Sequence, residues 1–261
     1  MTRSIVIKSE RELALMRSAG QIVAQVLEAI RRRAAPGVTT GELDALAEQM
    51  ILAAGATPSF KGYTGGGGHP PYPATICASV DTELVHGIPS RQRVLKEGQI
   101  LSVDVGAIYK GYHGDAAITL PIGEIAPRTL ELLAATEGAL VAGIAAARAG
   151  QRIGDISAAI EGYVVQRGFS VIREYTGHGI GRVMHEGLQI LNFGEPGQGV
   201  LLREGMTLAL EPMVSAGHWR TRVLDDDWTV VMADGALSAH FEHTIAIRDG
   251  EAEILTRLQQ S

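Results

Sequence analysis

The chain is poor in the features that cross-link a protein or send it out of the cell. It holds one cysteine, Cys77, so no disulfide can close within it and no thiolate zinc cage can be assembled from it. No uncharged apolar run reaches membrane-spanning length; the most apolar helical segment, LELLAATEGALVAGIAAARAG, is interrupted by Glu137 and Arg148. The opening stretch, MTRSIVIKSERELALM, carries charges where a signal peptide needs its apolar centre. A basic surplus is missing too: 23 Lys and Arg stand against 29 Asp and Glu, and no Lys/Arg run is interleaved with aromatics. These absences predict a soluble, cytoplasmic protein with neither a nucleic-acid substrate nor a membrane partner. Common hydrolase signatures are also lacking, with no HExxH helix, no GxSxG elbow and no Walker loop. HEGLQ at His185 starts like a zinc-protease helix, but Gln189 stands where the second histidine is required.

What is present is enough apolar material for a large core, 46% of 261 residues, and one domain spanning 1–261 is the simplest organisation. The chain also repeats itself. Residues 39–54, TTGELDALAEQMILAA, form an amphipathic helical pattern with Thr39 and Glu42 placed as a capping box. Residues 153–168, IGDISAAIEGYVVQRG, restate that layout, and Gly37, Gly41, Glu48 and Gly55 match Gly150, Gly154, Glu161 and Gly168 at one constant offset. Farther on, LKEGQILSVD is echoed by LREGMTLALE, so that Asp104 corresponds to Glu211. GDAAITL and EHTIAI each set an acid, Asp115 or Glu242, before a β-prone run, while VHGIPS and GHGIGR pair His86 with His178. A unit occurring only twice points to a duplicated α/β block with pseudo-twofold symmetry and a site where the halves meet.

QILSVDVGAIYKGYHGDAAITL reads as a β-hairpin turning at Lys110–Gly111. In that register Tyr109 faces Tyr112, Asp104 lies opposite Ala117, and Asp115 projects from the same face as a diagonal neighbour. Carboxylates gathered on an apolar face repel one another and lose hydration, so they require cations, protons or water. Four acids and a histidine make an oxygen-rich set whose charge of about −4 balances two divalent cations. Such a pair can activate a bridging water and polarise a carbonyl or phosphoryl oxygen, which makes metal-assisted hydrolysis the reaction class.

Taken in order, ELVHGIPS, SVDVGAIYKGYHGD, YTGHGIGRVMHEG, GMTLALEPMV and SAHFEHTIAI resemble the type I, bacterial-type methionine aminopeptidases, from about residue 8 to about residue 256. The resemblance implies an α+β pita-bread fold, two pseudo-twofold-related halves with a curved antiparallel sheet covered by helices. It implies Asp104, Asp115, His178, Glu211 and Glu242 as ligands of two divalent ions per chain (Co, Mn, Fe or Zn), with Asp115 and Glu242 bridging. By the same likeness His86 contacts substrate, His185 stabilises the tetrahedral intermediate, and Glu211 relays a proton as metal-held hydroxide attacks the first peptide bond. The implied activity is removal of the initiator methionine when the second residue is small. The methionine pocket would comprise Tyr72, Cys77, Met184 and Trp228. Nascent polypeptide N-termini are the implied partners, with transient ribosome contact and a monomeric state.

Some positions depart from the family pattern. Val85 and Thr176 stand where cysteine is frequent, Met184 where an aromatic residue is common, and TGGGGHPPYP lengthens the segment before Cys77. That glycine run is expected to be a flexible surface loop rather than a phosphate cradle, since no Gly-Lys-Ser/Thr sequence follows it. Prolidase-like enzymes and noncatalytic pita-bread binders are the competing readings. The former usually carry a substantial N-terminal domain, for which this chain leaves no space, and the latter typically lose ligands that are all retained here.

Overall fold

The computed structural model describes residues 5–65 and 70–258; Gly66, Gly67, Gly68 and His69, at the centre of the glycine run, lie outside the described residues. Four helices occur among the described residues: α1 (Glu10–Arg33), α2 (Thr40–Ala53), α3 (Pro127–Ala146) and α4 (Ile153–Val165). The capping box opens α2 as anticipated, with the Thr39 N–H donating to Glu42 at 2.8 Å and the Glu42 N–H donating to Thr39 Oγ1 at 3.2 Å. At the matching place before α4, the Arg152 N–H donates to Asp155 at 2.7 Å. α1 and α3 are long and apolar enough to cross a membrane by length and composition, but 50% and 44% of their most apolar windows are buried inside the fold.

The duplication is visible in the backbone. Leu95 N donates to Val38 O and Leu202 N to Gln151 O, both at 2.8 Å, while Gly37 and Gly150 return the bonds at 2.8 and 3.0 Å. These two glycines share φ values of 91° and 89°, a left-handed conformation that side chains resist. Gly41 and Gly154 are equivalent in a second sense. A Cβ on Gly41 would lie 2.7 Å from Arg91 N, and one on Gly154 would lie 2.3 Å from Glu195 O, so both helices begin pressed against their return loops.

In the first half, β1 (Ile76–Val80), β2 (Gln99–Tyr109) and β3 (Tyr112–Ile122) pair antiparallel, with Tyr109 opposite Tyr112 and Asp104 opposite Ala117. Lys110 and Gly111 both take positive φ (48° and 81°), the turn that matches strand twist in a two-residue hairpin. In the second half, β4 (Gly177–Gly179), β5 (Glu186–Ile190), β6 (Thr207–Leu210) and β8 (His243–Ala246) belong to one antiparallel sheet, with β7 (Ser238–His240) just ahead of β8. The halves join where β3 meets β7 and β8. There the Glu242 N–H donates to Ala117 O at 2.8 Å, the His240 N–H to Thr119 Oγ1 at 2.9 Å, and the Asp115 N–H to Thr244 Oγ1 at 3.0 Å. A continuous core runs through both halves, from Val23 and Ile30 of α1 through Val103 and Val105 of β2 to Ile156, Leu208 and Ile245.

Candidate active site

The strand registers bring the acids together. Cys77 is opposite Asp104, Asp104 opposite Ala117, and Ala117 opposite Glu242 across the seam between the halves. Residues opposite one another in an antiparallel sheet project from the same face, so Asp104 and Glu242 flank the small Ala117 side chain, and Asp115 stands two residues along from it. Leu210 pairs with His243, which sets Glu211 beside Glu242. His178, on β4, pairs with Ala209 and so reaches the same cluster.

Asp115, His178 and Glu242 are buried and offer ligand atoms that all lie within 4.8 Å of one another. Asp104 and Glu211 complete the group from positions that keep an edge on the cleft. His178 Nε2 lies 3.8 Å from Asp115 Oδ2 and 3.6 Å from Glu211 Oε1, while its Nδ1 is 3.0 Å from the Gly179 carbonyl oxygen. A carbonyl can only accept, so Nδ1 carries the proton and Nε2 presents a lone pair to the acids, the tautomer suited to a metal ligand.

The electrostatics are those of a cation site. Loss of hydration raises the Asp104 pKa to about 7, and loss of hydration followed by repulsion from neighbouring carboxylates pushes Asp115, Glu211 and Glu242 well above their usual range. Burial lowers the His178 pKa to about 3, so the imidazole is neutral and does not offset those charges. Among the described residues, no Lys or Arg forms an ion pair with any of the four acids. Asp104 Oδ1, Asp115 Oδ1 and Glu242 Oε1 are buried without a hydrogen-bond partner, each at a cost of about 1–3 kcal/mol. Oxygen atoms left unpaired in this way, with one neutral nitrogen among them, match the donors that divalent ions take.

The candidate ligands, His86, His185 and the expected pocket residues Tyr72, Cys77, Met184 and Trp228 all line one cleft of about 1150 Å³. Phe60, Tyr72, Ala74, Cys77 and Met184 form an apolar cluster at one end, with Tyr63 and Trp228 packed against it. Because Cys77 pairs with Asp104, this pocket abuts the acids. The Tyr72 hydroxyl is within reach of the Gly87 and Ile76 carbonyls at 2.9 and 3.1 Å, and Trp228 Nε1 donates to Pro70 O at 3.0 Å, so the polar tips are satisfied away from the apolar space. His86, at φ 60°, turns its ring toward Tyr175 and Trp228, each 6.1 Å away. His185 lies with its ring 4.2 Å from that of His178 and its Nδ1 2.7 Å from the Tyr63 hydroxyl.

Three neighbours escaped the sequence reading. Phe60 and Tyr63 belong to the pocket wall, but SFKGYTGG carries no periodic or paired pattern to betray them. His240 is buried with Nε2 3.7 Å from Glu211 Oε2 and 4.0 Å from Glu242 Oε2. Its signal was present in SAHFEHT, where a histidine two residues before Glu242 shares that residue's strand face.

Comparison with known proteins agrees with this architecture. Residues 14–249 match metallopeptidase family M24. Methionine aminopeptidase 1 of Bacillus subtilis is 50% identical over 254 residues, covering 97% of this chain and 100% of the relative. The crystal structure of methionine aminopeptidase from Thermotoga maritima superposes with a TM-score of 0.93 at 47% identity, covering 97% of this chain and 100% of that one. An Xaa-Pro dipeptidase from Bacillus anthracis shares the fold at a TM-score of 0.76 and 24% identity, with 98% of this chain covered but 63% of that one. The α+β pita-bread fold expected from the motifs is therefore present, and the chain belongs to metallopeptidase family M24, among its methionine aminopeptidases.

Proposed function

We propose that the chain is a dinuclear metallo-aminopeptidase that removes N-terminal methionine from nascent proteins and peptides whose second residue is small. The observation that carries this reading is the set of unpaired carboxylate oxygens beside an apolar pocket in one cleft. Asp104, Asp115, His178, Glu211 and Glu242 would hold the ions, with Asp115 and Glu242 on either side of the seam. When bound there, two divalent ions would supply Lewis acidity and a water activated at neutral pH.

The remaining groups divide the work of binding and proton transfer. The pocket of Tyr72, Cys77, Met184 and Trp228 receives the methionine side chain, whose flexible thioether fills an irregular apolar space. His86 contacts the substrate backbone at the pocket mouth. The Tyr63 hydroxyl, kept protonated because burial raises its pKa, is assigned as donor to His185 Nδ1 at 2.7 Å, the tautomer that leaves Nε2–H as a donor. That N–H would donate to the oxygen on which charge develops as the scissile carbonyl becomes tetrahedral. A carboxylate oxygen of Glu211 takes the proton of the attacking water and returns it to the leaving amine.

Parallel assays on Met-Ala-Ser, Met-Leu-Ser and Ala-Pro peptides with Mn²⁺ test this assignment. Methionine release from Met-Ala-Ser is expected to exceed that from Met-Leu-Ser by about a hundredfold, with no cleavage of Ala-Pro. Preferential cleavage of Ala-Pro would move the protein to the proline-directed branch of the fold.

A further inference from the structure

His240 takes no part in the reading above, yet its surroundings are unusual. Its Nε2 is fully buried without a hydrogen-bond partner, although two carboxylate oxygens lie at 3.7 and 4.0 Å. It is not among the residues lining the cleft, although it shares a strand face with Glu242, which is. Glu211 thus stands between two imidazoles, with Oε1 toward His178 and Oε2 toward His240. His240 also lies outside the closed group formed by Asp115, His178 and Glu242.

We infer that His240 is a positioning residue whose Nε2–H donates to Glu211 Oε2, fixing that carboxylate so that Oε1 faces the metal ions. A carboxylate with one free rotor at its tip has several orientations, and only some direct a lone pair at the ligand position. A donor held beside it removes the others once the 3.7 Å gap closes to a hydrogen bond. Outer donors of this kind typically contribute about 10- to 100-fold to metal affinity. The backbone of His240 is held independently, with its N–H donating to Thr119 Oγ1 at 2.9 Å and its carbonyl accepting from the same hydroxyl at 2.8 Å. Side-chain replacement therefore leaves the seam between the halves intact.

The inference rests on the carboxylates being metal ligands, and the test separates the two claims. Mn²⁺ is titrated calorimetrically into the metal-free full chain of the wild type, His240→Met and His240→Gln, alongside thermal melting of each metal-free protein. Binding by the wild type is the control for the metal reading itself; without it both claims fall. Methionine fills similar space without a donor, and His240→Met is expected to weaken Mn²⁺ binding about tenfold while melting like the wild type. His240→Gln restores an N–H and is expected to recover affinity to within about threefold of the wild type, on the same outer-donor argument. On Met-Ala-Ser, His240→Met should lower kcat and leave KM unchanged. Wild-type affinity in His240→Met would overturn the inference, as would a His240→Gln variant as weak as His240→Met, which would mean that the imidazole itself is required.

Discussion

The two halves of the molecule solve one problem with different parts. The first delivers Asp104 and Asp115 from β2 and β3, two eleven-residue strands in unbroken register. The second delivers Glu211 and Glu242 from the ends of β6 and β8, four residues each, where the ladder stops. In the first half the acids are diagonal neighbours, so a regular hairpin can hold both on short side chains. In the second they fall opposite each other, and a continued ladder would force two carboxylates into direct contact. The chain departs from regular pairing there and uses the longer glutamates to span the gap. Duplication thus preserved where charge is needed while the backbone that presents it diverged.

The comparison can be broken most severely at the seam. Asp115→Ala and Glu242→Ala each remove one member of the closed group, one from each half, and both are expected to cut methionine release by about a thousandfold or more even at saturating Mn²⁺. A much smaller loss in either variant would show that its half is dispensable. His185→Ala should lower kcat by about a hundredfold with metal content unchanged, the pattern of a group that acts on developing charge. Tyr63→Phe should produce a smaller loss in the same direction, since it removes only the group that orients His185.

The candidate ligands were legible because they recur. Asp104 with Glu211 and Asp115 with Glu242 could be aligned within the one sequence, and strand parity then placed Asp104 and Asp115 on one face, as the Asp104–Ala117 register shows. The pocket was less legible because its walls lie outside the repeat. Phe60 and Tyr63 come from the segment before β1, and Trp228 from the hairpin of strands Thr221–Val223 and Val230–Met232, which has no counterpart in the two-residue turn at Lys110–Gly111. Family likeness pointed to Tyr72, Cys77, Met184 and Trp228; nothing in the spacing of Phe60 did. His240 was overlooked because its partner, Glu211, is distant in sequence and the two meet only through the pairing of Met213 with His240 and of Leu210 with His243.

That division predicts milder effects in the non-duplicated parts. Trp228→Ala should raise KM for Met-Ala-Ser about tenfold and leave kcat and Mn²⁺ binding largely unchanged, because it removes packing rather than charge. A collapse of kcat instead would tie this hairpin to the chemistry. The smallest effect is one of stability against pH. A carboxyl whose pKa is higher in the folded than in the unfolded state stabilises the fold at low pH and loses that contribution as pH rises; for Asp104 the window is from about 4 to about 7. His178 has the opposite sign, its contribution being present above pH 6.5 and lost as pH falls toward 3. Because ion binding requires the acids ionised and His178 neutral, the gap in melting temperature between the Mn²⁺-loaded and the metal-free protein should widen as pH rises from about 4 to about 7. A melting difference between the two that stays flat over this range would show that the acids are not linked to the ions.

The central claim is that duplicated halves assemble five side chains around two ions. Crystals equilibrated with Mn²⁺ and measured at a wavelength where manganese scatters anomalously test it most directly. The account predicts two anomalous peaks per chain, enclosed by Asp104, Asp115, His178, Glu211 and Glu242, with Asp115 and Glu242 touching both. A map with no peak among these residues, or with peaks only elsewhere, would contradict it.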